Sequence, residues 1–147
     1  MREEEHLRIS ERKGLVRVLR KEVEVIKLSA KIKKLEDTLK KLEADSEVDG
    51  CALVSDRGQL MAAALHKGVD EKAVSAMAAA LVSIGGRVGA ALDSGDPKNI
   101  VIEGDSKTVI VRSLTEAALI ATAPKDAKIG LIDFEMDKAT AEIETIL

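Results

Sequence analysis

The chain has few side chains able to attack a substrate or move a proton: one cysteine, Cys51, and two histidines, His6 and His66, among 147 residues. Nucleophilic and acid-base catalysis need such groups within hydrogen-bond reach of one another. His6 lies in the charged start MREEEHLRISERK, remote in sequence from the other two. Cys51 sits in GCALVSD and His66 follows QLMAAAL, and between those apolar runs Arg57-Gly58 is the kind of glycine-containing loop that closes a hairpin. Such a hairpin sets Cys51 opposite Ala64 and leaves His66 near the same face, about one residue pair beyond direct contact. A thiol and imidazole dyad is thus conceivable, but a free cysteine in an apolar strand ordinarily packs as a small hydrophobe. Two histidines and one cysteine at unrelated spacing cannot close a metal site. Gly85-Gly86 lacks both the spacing and the preceding strand of a phosphate loop, and Glu103-Gly104-Asp105 reads as a turn whose aspartate bonds its own backbone. The expectation is no catalytic residue, no metal and no cofactor. Arg57 and Arg87 remain as arginines able to reach a partner's phosphate or carboxylate; the plainer readings are a polar loop residue and a charge answering the negative end of a helix.

Composition narrows the binding modes. Phe134 is the only aromatic residue, with no Trp or Tyr, which removes base-stacking platforms and aromatic cages. The net charge of -3 hides an asymmetry: residues 1–47 carry 13 Lys/Arg against 11 Asp/Glu, and residues 48–147 carry 10 against 15. Signs interleave in the basic part, so nucleic acid is not expected as a partner. A single cysteine fits a reducing compartment, with cytoplasm the default. The start has no apolar core of a signal peptide, and no run suggests membrane insertion.

The elements that position these residues follow from periodicity. Leu28, Ile32, Leu35, Leu39 and Leu42 alternate four and three apart, which makes a coiled-coil or helix-docking seam. Upstream, Val16, Leu19, Val23, Ile26 and Ala30 make a second line in a different phase, predicting a bend near 26–28. The rival reading takes LRIS, LVRVL and VEVIKL as short strands. After the hairpin, Asp70 is placed to cap a helix over about 70–93, with Val74, Met77, Leu81, Val88 and Leu92 as its apolar face. The other face is small, at Ala73, Ala76, Ala80 and Ser83, and Gly85-Gly86 suggests that another backbone approaches closely, since glycine costs a helix about 1 kcal/mol relative to alanine. NIVIEG, KTVIVRS and EAALIATA read as three more strands, most simply a meander, and Ile129, Ile132, Met136, Ala139, Ile143 and Ile146 as a last helix. Strands apolar on both sides must be covered on both sides, so the expected fold class is α/β: a three-layer α/β/α sandwich with a five-stranded, mainly antiparallel sheet. Residues 1–45 read as a charged helical or coiled-coil extension, of which 31–45 serves as the domain's first helix, and 46–147 as the domain.

This order, with VSDRGQLMAAAL, DEKAVSAMAAALVSIGGRVGAAL, NIVIEG and KDAKIGLIDFEMDKA, resembles the Roadblock family, the group that contains dynein Roadblock light chains and bacterial MglB and has a profilin-like sandwich. The likeness covers about residues 31–147. It implies a homodimer, or a heterodimer with a family paralogue, in which the strand around Asn99–Gly104 pairs with its mate and the Ala-rich helices lie side by side. Ala76, Ala80, Asn99, Ile100, Val101, Ile102 and Glu103 would then form the dimer interface. An apolar edge such as IVI independently invites pairing. The resemblance further implies a Ras-like small GTPase as partner, bound over the paired helices and regulated or scaffolded without catalysis by this chain. Glu71, Lys72, Ser75, Ser83 and Arg87 are the expected partner-binding positions. Two other readings stand beside it: a small-ligand sensor holding a metabolite between sheet and helix, and a structural adaptor acting through the N-terminal coiled coil.

Overall fold

The structure, a computed structural model, describes residues 1–147, which divide into two compact units, Met1–Lys33 and Lys34–Leu147. Helix α1 (Arg2–Asp45) opens on three glutamates, Glu3, Glu4 and Glu5, in its first turn, where negative charge offsets the helix dipole. The strand reading of residues 15–27 is overturned: they are helical throughout. The period-two alternation of valines there is outweighed by the many Lys, Arg, Glu and Leu around them, all good helix formers. The seam expected from Leu28 to Leu42 divides. Leu35, Leu39 and Leu42 are buried, whereas Leu28 and Ile32 are exposed. The leucines from 35 onward are therefore a docking stripe of the domain.

Strands β1 (Gly50–Ser55) and β2 (Leu60–Ala64) form the expected hairpin. Its tip is closed by the Gly58 N–H donating to the Ser55 carbonyl at 2.9 Å, with Gly58 at φ +82, a conformation that glycine adopts without strain. Helix α2 (Glu71–Ala91) is capped as predicted, the Asp70 carboxylate accepting from the Ala73 N–H at 3.1 Å. Strands β3 (Asn99–Glu103), β4 (Lys107–Ser113) and β5 (Ala117–Pro124) then form a meander, and helix α3 (Ile129–Ile146) ends the chain. All pairings are antiparallel, in the order β2-β1-β5-β4-β3. β3 is consequently an edge, with no neighbour on its outer side.

Alternation along the strands sorts side chains onto two covered faces. Cys51, Leu53, Ile110, Leu119, Ala121 and Ala123 join Leu35, Leu39 and Leu42 of α1 and Ile132, Met136, Ala139 and Ile143 of α3 in one buried cluster. Ala52, Val54, Val111 and Ala118 are buried on the opposite face, which α2 covers, touching all five strands. This is the expected three-layer sandwich.

The packing of α2 turns the helix partly away from the expected orientation: Val74 and Leu81 are half-buried, but Met77, Val88 and Leu92 of the expected apolar face are exposed, and Ala76, Ala80 and Ser83 point outward. The most buried stripe runs through Ser75, Ala78, Val82, Gly85 and Gly89, three and four apart, flanked by the half-buried Val74 and Leu81, while Met77, Ile84, Val88 and Leu92 are more than half exposed. Small residues let the helix lie close on the sheet. The nearest backbone approach is at Gly89, where a Cβ would stand 2.1 Å from the Gly95 carbonyl oxygen; at Gly85 it would meet the Ile100 Cδ1 at 2.7 Å, and at Gly86 nothing lies within 4 Å. The close approach inferred for Gly85-Gly86 thus falls one turn later.

Candidate functional site

The candidate catalytic pair is placed as the hairpin register dictates, with Cys51 opposite Ala64. Cys51 is completely buried, its Sγ 3.6 Å from the Leu39 carbonyl. Burial, with the Glu43 carboxylate nearby, pushes its thiol up to about 12, so a thiolate is scarcely populated near neutrality. His66 is exposed. Burial also raises Glu43, partly offset by His66, and its Oε1 lies buried without a hydrogen-bond partner. Neighbouring Asp49 goes the other way: burial disfavours its charge, but the Lys107 ammonium at 2.8 Å and the Thr122 hydroxyl at 2.6 Å outweigh it and hold the carboxyl below the usual range. These contacts tie the start of β1 to β4 and β5. No group of three or more His, Cys, Asp or Glu is arranged to hold a metal ion.

A cavity between α1 and α3, lined by Thr38, Leu42 and Ala139, holds about 30 Å³, room for a water and not for a metabolite; a more open hollow lined by Ala44, Leu131 and Phe134 holds about 330 Å³.

What the domain offers instead is a surface. The outward half of α2 carries Ala76, Ala80, Ser83 and Arg87, four and three apart and all exposed, beside the line of Met77, Ile84 and Val88. Ile84, Arg87, Val88 and Ala91 line a shallow depression. Glu71 and Lys72 are exposed at the helix start. Ser75 is not on this surface: it is 1% exposed, and its hydroxyl donates to the Glu71 carbonyl at 2.6 Å. It faces the sheet because it stands in phase with Ala78 and Val82, so the partner-binding role expected of it is withdrawn. On β3, Asn99 and Ile100 are half-buried, and Val101, Ile102 and Glu103 are exposed. The Ile100 side chain lies against Gly85, so the open strand edge runs beneath the C-terminal half of α2. Arg57 is exposed at the β1-β2 tip.

Sequence reasoning missed a polar cluster that anchors this edge. Arg112, on β4 opposite Asn99, is only 4% exposed. Its Nε donates to Asn99 Oδ1 at 2.9 Å, its Nη1 to Asp137 Oδ1 at 2.6 Å and its Nη2 to Asp133 Oδ1. Asn99 Nδ2 also donates to Asp133 at 2.7 Å, and the Lys98 ammonium lies 3.6 Å from Asp133 and 3.5 Å from Asp137. The Asn99 bond, assisted by Arg112 and Lys98 against some burial, holds the Asp133 carboxyl below its ordinary value. The first residue of β3 is thereby fastened to α3. The available signal was an arginine inside the otherwise apolar KTVIVRS.

The domain is thus a three-layer sandwich whose open sheet ends in unpaired edges at β2 and β3, with an apolar helix face beside β3. The sequence profile of the Roadblock/LC7 domain matches residues 34–123, and the chain belongs to that family. Among solved structures it is similar to Myxococcus xanthus MglB, at 19% identity over 79% of this chain and 92% of that one with TM-score 0.73. It is also similar to a Roadblock/LC7 domain from Streptomyces avermitilis, at 20% identity over 75% and 94% with TM-score 0.70. A third is an MglB with tetrameric arrangement, at 14% identity over 80% and 90% with TM-score 0.73. The profilin-like character of the fold is reflected in a more distant likeness to Acanthamoeba castellanii profilin II. No curated protein matches the chain by sequence.

Proposed function

We propose that this chain is a non-catalytic dimeric regulator or scaffold that binds a Ras-like small GTPase in the cytoplasm and biases its nucleotide state. The observation that carries the dimer is the exposed apolar line of Met77, Ile84, Val88 and Leu92 above an unpaired β3. An edge strand of this kind favours pairing with another strand, and isologous pairing of β3 with its mate, as homodimer or with a family paralogue, brings two α2 helices side by side. Ala76, Ala80, Ile100, Val101, Ile102 and Glu103 then lie at the join, with Asn99 held in register from behind by Arg112. The GTPase rests on membership in the Roadblock/LC7 family. Glu71, Lys72, Ser83 and Arg87 supply exposed polar positions around the paired helices. Regulation requires a difference in affinity between the partner's two nucleotide states, which is what a test must read. Purified Ras-like GTPases loaded with GDP or a GTP analogue are passed over the immobilised full chain. Retention that depends on the nucleotide supports the proposal, and equal or absent retention across the panel removes the regulatory half of it. The sensor reading loses ground because the cavity between α1 and α3 holds only about 30 Å³ and the hollows of about 330–400 Å³ are open surface depressions, whereas ligand pockets enclose most of a ligand's surface.

A further inference from the structure

Residues 1–33 leave an apolar surface that nothing in the chain covers: Leu15, Val16, Val18, Leu19, Val23, Val25 and Ile26 are each about half exposed or more. At about 100° per residue these side chains occupy roughly half of the helix circumference. Lys13, Arg17, Arg20, Lys27 and Lys31 cluster on the other side, with Glu24 among them. Over residues 12–33 there are eight Lys/Arg and two Glu, a net charge of +6. We propose that this segment of α1 is a peripheral anchor that lies flat on an anionic lipid surface, its apolar half among the acyl chains at the headgroup boundary and its basic half toward the phosphates. Amphipathic helices with a Lys/Arg-rich polar face bind membranes in this way, with strength set by buried apolar area and by attraction to anionic lipids. Arg12, Glu22 and Lys33 fall within the apolar half and Leu28 within the basic one; the long stems of Arg12 and Lys33, near the two ends of the segment, let their charges reach the headgroups.

The charge pattern favours lipid over a second copy of the helix. In a coiled coil built on Ile9, Val16, Val23 and Ala30 with Leu19 and Ile26, the remaining core positions of the repeat are Arg12 and Lys33. Across a parallel pair Lys13 would face Arg8 of the other strand and Lys27 would face Glu22, so the flanks give no net attraction to offset the like charges brought together at Arg12 and Lys33. An anionic bilayer neutralises them. The inference is independent of the GTPase reading, because its test contains no GTPase.

The experiment is flotation of the full chain with vesicles of phosphatidylcholine alone or of phosphatidylcholine mixed with phosphatidylglycerol. The expected result is capture by the anionic vesicles only, weakened by more than about tenfold when salt rises from about 0.1 M to about 1 M. The combined variant Arg17→Glu, Arg20→Glu, Lys27→Glu and Lys31→Glu is expected to lose capture by a similar factor while its thermal melt by circular dichroism stays that of the wild type. Equal capture by both vesicle types, capture by neither, or undiminished capture of the variant overturns the proposal. So does a sedimentation mass that Ile26→Asp lowers in a protein that vesicles do not retain, which identifies a second copy as the occupant. If the variant fails to fold, the salt titration of the wild type decides alone.

Discussion

Cys51 and Arg112 show how burial decides the chemistry of a side chain whose type alone suggests activity. With the thiol at about 12 against an ordinary 9.0, its thiolate fraction near neutral pH is about a thousandfold lower than that of a free thiol. Alkylation of Cys51 by iodoacetamide is therefore expected to be negligible in the native protein and rapid after unfolding, read by mass spectrometry with and without denaturant. Fast native alkylation would show the strand to be open. Arg112 is buried with full partners, and truncating one side of such a cluster strands the other. Arg112→Met is expected to destabilise the fold by about 2–3 kcal/mol, below the range for wholly buried pairs because Asp133 and Asp137 keep contact with solvent. Thermal melting checks it. The acid limb has a definite sign. Asp133 is depressed when folded, so its contribution is present in full above its ordinary value near 4 and is lost as pH falls through the lower native value. The melting temperature of Asp133→Asn is thus expected to vary less than that of the wild type below about pH 4. The cluster was hard to read in the sequence because Arg112, Asn99, Asp133 and Asp137 are brought together only by β3-β4 pairing and the docking of α3.

At the scale of elements, strands and helices were largely legible because period and punctuation agree: Asp70 at a cap, Arg57-Gly58 in a turn, Asp96-Pro97 between α2 and β3. The orientation of α2 was not. Its bulky and small stripes both repeat at helical spacing, and the usual rule buries the bulky one. Here Ser75 and Ala78 are buried and Gly89 lies under the Gly95 carbonyl, Val74, Leu81 and Val82 are half-buried, and Met77, Ile84, Val88 and Leu92 are turned outward. The glycines of α2 test that arrangement. Gly89→Ala is expected to destabilise by more than about 1 kcal/mol, since its methyl would collide with the rigid Gly95 carbonyl. Gly86→Ala meets nothing within 4 Å and is expected to raise stability by about 0.5–1 kcal/mol through helix propensity. Denaturant midpoints of the two variants should move in opposite directions, and a loss at Gly86 would mean that another backbone seats there. The division of the leucine seam was hidden for a related reason, since a heptad does not say whether a sheet or another helix receives it.

For the molecule as a whole, the turned-out face of α2 and the bare edge of β3 form one problem with one economical solution. Burying a Met, Ile, Val or Leu side chain contributes roughly 1.5–3 kcal/mol, and the single chain leaves Met77, Ile84, Val88 and Leu92 without it. α2 is also long and apolar enough, by length and composition alone, to pass as a membrane span, although Ser75 and Ala78 are buried in the domain. A second copy related by a two-fold axis at β3 supplies cover for the helices and main-chain partners for the edge at once. The expected solution mass is therefore twice the 15.7 kDa of one chain. Ile84→Glu with Val88→Glu places charges where the subunit itself makes no demand, because both side chains are already half exposed. The doubly substituted chain is expected to run as a folded monomer in light scattering, and Ile102→Lys, which sets a charge on the edge strand, to weaken the dimer in the same direction. If the helix variant stays dimeric while the edge variant dissociates, the strands alone make the join and α2 is left free for the partner. If both dissociate and GTPase retention disappears with the dimer, the partner reads a surface that exists only when two copies meet.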